Sequence, residues 1–385
     1  MTPTEIVTPT RTLRQAYGFD EVALAPAAVN IDPADIDMSL SVGPFEFGMP
    51  VVASAMDAVV DPKFAIAFGK LGGLAVLNLE GLQTRFENAD EALEEVAEAN
   101  HVEATTVLQR LYQEPIKGHL VEARISEIKR GGAIAAASVT PQAAESLAPM
   151  AFEAGVDLLV VQSTVATARY ESRSGRALDL AGFCRRAPVP VVAGNCVGFQ
   201  AAMELFECGI AGLLVGVGPG SACTSRQVLG VGVPQITATL DVAAARDEFE
   251  RRTGRYVPVI TDGGMRVGSD IAKAIAAGAD AVMIGSPLAQ TREAPGRGFH
   301  WGMATSHPEL PRGVRIEVGV TCSLQQLLFG PSTRTDGTRN LVGALRLAMS
   351  MCGARNIREM HQAELIVAPA VKTEGKLYQM REPLQ

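Results

Sequence analysis

Three phrases in this sequence repeat one design: EAGVDLLVV at 153–161, ECGIAGLLVG at 207–216 and AAGADAVMIG at 276–285. In each, a helix-favouring segment reaches a glycine suited to the left-handed cap conformation, and a short turn then enters a continuously apolar run. Runs of the same kind recur at Pro50–Ala55, Leu74–Leu79, Ala133–Val139, Leu158–Val161, Val189–Ala193, Leu213–Val217, Val257–Ile260 and Ala281–Ile284. They are apolar throughout rather than alternating, which suits parallel strands buried on both faces with helices between them. The expected fold class is α/β, a (β/α)8 TIM barrel. A doubly wound open sheet is the competing architecture, but no GxGxxG follows the first run and the glycine-rich loop follows the sixth.

Composition bounds the function. With 385 residues, 47% apolar and 20% charged, the chain has material for a large core and too little charge for disorder. Its apolar stretches stop short of the ~18 residues of a membrane span. Residues Met1 to Arg14 lack the apolar centre of a signal peptide, so a cytoplasmic protein with no membrane partner is expected. A net charge of -8 and 5% aromatic content provide neither a positive field nor stacking platforms for nucleic acid. The six cysteines form no CxxC pair, a pattern of reduced thiols rather than of a disulfide frame or a zinc site.

One domain over 1–385 is expected, with two long connections. Residues 84–131 are charged and helix-favouring and read as a surface insertion after the second strand. Residues 287–337 contain His300, Trp301, His307, Pro308, Pro311 and Gly313 and read as a long lid-like loop after the eighth. A final helix is expected over Thr338–Met351.

Residue types change where the strands end: SAMD at 54–57, QST at 162–164, GN at 194–195, GVGPGSACTSR at 216–226, TDGG at 261–264 and GS at 285–286. Barrel active sites are built at those ends, and the loops after strands seven and eight commonly hold phosphate. The loop after strand six sets Cys223 among glycines and hydroxyls, which leaves two readings open, a nucleophile or a packed thiol. The carbonyls of Gly218, Gly220 and Cys223 can also turn inward around a monovalent cation.

The segment GVGPGSACTSRQVLGVGVPQ resembles the catalytic loop of the IMP dehydrogenase and GMP reductase family. The resemblance extends to YGFDEVALAP, PVVASAMDAVVD, LGGLAVLNL, VITDGGMRVGSDIAKAIAAGADAVMIGS and EAPG, nearly the whole chain except 84–131. It is strongest to the compact branch of cyanobacteria and actinobacteria, which lacks regulatory CBS modules in that insertion. The resemblance implies conversion of IMP to XMP with NAD, a step of GMP biosynthesis, through a thioimidate on Cys223. It assigns Ser225 to the hydrolytic water; Ser54, Met56 and Asn195 to the nucleotide; and Ser221, Asp262, Gly264, Gly285 and Ser286 to its ribose and phosphate. Gly302 and Met303 match a backbone contact to the base, and Gln162, Ser163, Gly216 and Gly218 fall on the cofactor side. It also implies a bound potassium ion and a homotetramer whose neighbouring C-terminal segment, here with Glu374 and Gly375, completes the cation site.

Departures from the family pattern shape the functional expectation. Gln162 replaces an aspartate, Leu214 replaces a basic residue before the catalytic loop, the flap is short, and the Arg-Tyr pair that activates water is missing. Arg312 stands where GMP reductase needs a carboxyl group to deliver a proton, and a guanidinium is poorly fitted to that task. Arg312 or Arg315 is therefore expected to orient water in place of the lost pair. The alternatives are a GMP reductase using NADPH and a nucleotide-binding regulatory protein whose chemistry has lapsed.

Overall fold

The computed structural model describes residues 13–171, 177–302 and 315–368. Eight parallel strands form a closed barrel: β1 (Val51–Ala53), β2 (Leu74–Asn78), β3 (Ala136–Val139), β4 (Leu158–Gln162), β5 (Val191–Cys196), β6 (Gly212–Val215), β7 (Val259–Asp262) and β8 (Ala281–Ile284). Each pairs with its neighbours in chain order, and β8 returns to β1 with Val282 opposite Val51 and Ile284 opposite Ala53. The (β/α)8 expectation holds, and each expected run overlaps one of these strands, with the ends shifted by one to three residues at β4, β5, β6 and β7.

Successive side chains on a strand point to opposite faces, so the runs divide between two cores. Val52, Val160, Val192, Leu214 and Ile260 fill the barrel interior. Val51, Ala53, Val161, Ala193, Leu213 and Val259 pack outward under the helices. Leu214 is fully buried in the interior, which accounts physically for the absence of a basic side chain there. A hairpin of Leu40–Val42 and Phe45–Phe47 inserts Leu40, Val42 and Phe47 among the same residues and stoppers the N-terminal end of the barrel.

The outer layer contains α1 (Pro62–Lys70), α2 (Gly118–Arg130), α3 (Ala144–Glu153), α4 (Leu180–Arg186), α5 (Phe199–Glu207), α6 (Gln235–Thr253), α7 (Gly268–Ala276) and α8 (Leu341–Met351). Asp61 caps α1 by accepting the Phe64 N–H at 2.6 Å, with Pro62 at the first helical position. The repeated phrases behave as read: Gly155, Gly209 and Gly278 follow α3, α5 and α7 with φ of 77°, 89° and 103°. A strand at Val22–Leu24 pairs antiparallel with Leu365–Val367 outside the barrel.

Two connections differ from expectation. Residues 118–130 are not part of an insertion: α2 packs between α1 and α3 as the barrel's own second helix. The extra material is the helices Ala89–Glu98 and Ala104–Leu111 with the turn Leu82–Thr84, and it builds a third core rather than only a solvated face. The described part of 287–337 is likewise not irregular throughout. Phe299–His300 pairs antiparallel with Ile316–Glu317, and Leu324–Phe329 is helical. Among the described residues no helix is long and apolar enough to cross a membrane.

Candidate active site

The strand ends of the mouth enclose one cavity. Its lining includes Ser54 and Met56 after β1, Gln162 and Ser163 at β4, Asn195 in β5, Gly216, Gly218, Gly220, Ser221, Cys223 and Ser225 after β6, Asp262 and Gly264 at β7, Gly285 and Ser286 after β8, and Gly302. Every expected site residue within the described chain except Arg315 therefore meets at this one place. Met303, Arg312, Glu374 and Gly375 lie outside the described residues.

Cys223 is half-buried in the loop that leaves β6. Its backbone N–H donates to the Gly220 carbonyl at 3.0 Å, which closes a turn, and the helix Ser225–Val228 begins two residues later. The sulfur lies 3.3 Å from Ser225 Oγ. Two other thiols are kept protonated by their surroundings. Burial pushes Cys184 up to about 11 and Cys196 up to about 12, which leaves both protonated and poor nucleophiles at neutral pH.

Asp262 ends β7 at the centre of an amide cluster. Asn195 Nδ2 donates to its Oδ2 at 2.7 Å and Gln162 Nε2 donates to the same oxygen at 3.0 Å. Gln162 Nε2 also reaches Asn195 Oδ1 at 3.1 Å. Burial pushes the Asp262 carboxyl up to about 6, against the opposing pull of those two amides. Nearby, the hydroxyls of Ser221 and Ser286 lie 2.8 Å apart. The mouth thus offers a carboxylate and paired hydroxyls in the same cavity as a thiol.

Sequence reasoning missed part of the lining. Asn78, Glu80, Ser138 and Thr140 extend the cavity along the C-terminal ends of β2 and β3 and just beyond them. Glu80 is braced there by the Thr140 N–H at 2.6 Å. The signal was available, since apolar runs turn polar at those ends as well. His300 also lines the cavity; it is 1% exposed, and neither ring nitrogen has a partner among the described residues. Burial holds its imidazole down to about 4, so it is neutral at working pH and keeps one donor and one acceptor. No sequence pattern announces a histidine left unpartnered.

Arg315 requires a correction. Its guanidinium donates to the carbonyls of Val96 and Ala97 and stacks 4.4 Å from the centroid of the Phe299 ring. It is absent from the cavity lining and is engaged with the inserted helices rather than with a water beside Cys223.

The fold and its mouth define a (β/α)8 barrel enzyme scaffold with a thiol-bearing glycine loop. Comparison with known proteins places it further. The IMP dehydrogenase / GMP reductase domain model matches residues 16–306, and the chain belongs to this family of oxidoreductases. An uncharacterized oxidoreductase of Mycolicibacterium smegmatis is 41% identical over 366 residues, covering 93% of this chain and 98% of that protein. The inosine-5'-monophosphate dehydrogenase of Methanocaldococcus jannaschii is 28% identical over 490 residues, covering 94% and 95%. The crystal structure of an IMP dehydrogenase/GMP reductase-like protein from Corynebacterium glutamicum superposes with a TM-score of 0.88 at 36% identity, covering 94% of this chain and 96% of that one.

Proposed function

We propose that this protein oxidises IMP to XMP with NAD through a covalent bond between Cys223 and C2 of the purine. The observation that carries the reading is the sharing of one cavity by the Cys223 thiol, the Asp262 carboxylate and the Ser221–Ser286 hydroxyl pair. Asp262 accepts hydrogen bonds from a ribose diol, the paired hydroxyls meet the phosphate, and His300 offers a neutral N–H to the ligand. Addition of sulfur makes C2 tetrahedral, so loss of hydride restores conjugation. NAD, when bound, accepts that hydride. Water then adds to the thioimidate, the C–S bond breaks, and the thiol returns as XMP leaves. Ser225 Oγ is placed to exchange a proton with the sulfur at each end of this cycle.

The wall formed by Glu80, Ser138, Thr140, Gln162 and Thr164 gives the cavity a second polar arm next to the thiol, which suits a cofactor amide. The carbonyls of Gly218, Gly220 and Cys223 would hold a potassium ion; the Gly220 carbonyl receives the Cys223 N–H and keeps a second lone pair for it. Val228, Leu229 and Val231, at the end of the helix Ser225–Val228 and just beyond it, are exposed, and a homotetramer belongs to this proposal, which light scattering would test. A cytoplasmic setting accords with six unbridged cysteines.

The test supplies IMP with NAD and follows reduced cofactor, then traps Cys223 peptides with acid and weighs them. NADH formation with a purine mass on Cys223 is expected. Consumption of NADPH with GMP would replace the proposal by the reductase reaction. Tight nucleotide binding without turnover of either pair would mark a regulatory protein.

A further inference from the structure

We propose that Tyr112, supplied by the inserted helices, is a positioning residue for the Cys223 loop and acts through Trp301. The insertion buries Leu93, Val96, Leu108, Leu111 and Tyr112 around Trp301, the largest fully buried side chain among the described residues. A buried indole N–H needs an acceptor. Trp301 Nε1 donates to the Tyr112 hydroxyl at 2.9 Å, and that hydroxyl donates to Asp57 Oδ2 at 2.6 Å. Asp57 Oδ2 also accepts the Leu82 N–H at 2.6 Å, where the insertion begins.

Both partners of this hydroxyl are one residue from the cavity. Asp57 follows Met56, and Gly302 follows Trp301. Gly302 in turn lies so close to the loop that a Cβ there would sit 2.9 Å from the Ala222 carbonyl, adjacent to Cys223. One phenol therefore fixes the β1 exit and the segment laid against the thiol loop relative to each other. Arg297, paired with Glu94 at 2.5 Å, and Arg315, bonded to Val96 and Ala97, clamp the same segment to the inserted helix. Two directed hydrogen bonds at a single oxygen set this geometry more narrowly than apolar contact alone.

The positional claim concerns the ligand-free fold; only its consequence for turnover rests on the function proposed above. Trp301 is the single tryptophan of the chain, so its emission reports the brace directly. In the full chain, Tyr112→Phe keeps the ring and removes the hydroxyl. We expect a shifted Trp301 emission and a change of about threefold or more in iodoacetamide labelling of Cys223, read from peptide masses. If the protein turns over IMP, kcat falls about tenfold with a smaller change in KM, the mark of a displaced reacting group. Arg110→Ala, which loses only an exposed pair with Glu95 in the same insertion, serves as the control and leaves emission and labelling unchanged. Asp57→Asn, which keeps an acceptor oxygen, carries the same expectation at smaller size should Tyr112→Phe fail to fold. Wild-type emission and labelling in Tyr112→Phe, or equal shifts in Tyr112→Phe and Arg110→Ala, overturn the proposal. Altered labelling in a protein that never turns over IMP keeps the brace and rejects the assigned reaction.

Discussion

Asp280 and Asp262 occupy opposite ends of the same barrel and meet different company. Asp280, just before β8 at the stoppered end, accepts from Arg246 Nη1 at 3.0 Å, the Val259 N–H at 2.8 Å and the Tyr256 hydroxyl. Its charge is met by a buried cation, and the group secures the fold. Asp262, at the mouth, has the amides of Asn195 and Gln162 as its side-chain partners among the described residues and is pushed up to about 6 by burial. The difference teaches where the fold leaves polar capacity unspent. At the closed end the charge of Asp280 is answered by a buried cation; at the open end that of Asp262 meets no cation among the described residues.

That contrast can be broken most sharply at the thiols. Cys223→Ala should lower IMP-dependent NADH formation by about a thousandfold or more while nucleotide binding stays within a few fold. Cys196→Ala, a fully buried site, should keep turnover and lose only melting temperature; equal losses of turnover would remove the distinction. The carboxylates sharpen it next. Asp280→Asn leaves the buried Arg246 with only the exposed Asp247 as a counter-charge and should cost about 3 kcal/mol in denaturant unfolding. Asp262→Asn should hold stability within about 1 kcal/mol and weaken nucleotide binding instead.

Acid separates two groups at the mouth by sign. The raised Asp262 pKa means that its contribution to stability is fully present below about 4 and is lost as pH rises through about 6. The lowered His300 pKa means that its contribution is present above about 6.5 and is lost as pH falls towards about 4. The two oppose each other in the wild type. Unfolding measured from pH 4 to 7 should therefore fall more steeply on acidification in Asp262→Asn, by on the order of 2 kcal/mol after discounting for solvent screening. An unchanged profile would show the carboxylate to be ordinary. Nucleotide affinity of the wild type should weaken below about pH 6 as the acceptor is protonated. The smallest effect belongs to the stopper: Val42→Ala should cost about 1–2 kcal/mol and leave turnover per folded molecule unaltered.

The barrel was legible because its strands are buried on both faces, and the repeated glycine caps divide one unit from the next. Much of the mouth was legible for the opposite reason: Ser54, Asn195 and Asp262 bring polar side chains in where apolar runs end. Where the insertion ends was not legible, because α2 and the inserted helices share the same charged, amphipathic pattern, and only packing against α1 and α3 tells them apart. The hairpin at 40–47 carries too few residues to declare that it fills a barrel end. Tyr112 and Trp301 meet across 189 residues of chain, and Arg315 is drawn to helix carbonyls that no local spacing indicates.

Ring closure through β1 and β8 also governs how the chain is made. The edge of β1 has no partner on that side until residue 284 has been synthesised, and Val22–Leu24 waits for Leu365–Val367. For most of translation the ribosome therefore carries an open, apolar sheet edge able to pair with another nascent copy. Strand addition from a second copy competes with the chain's own closure until β8 arrives.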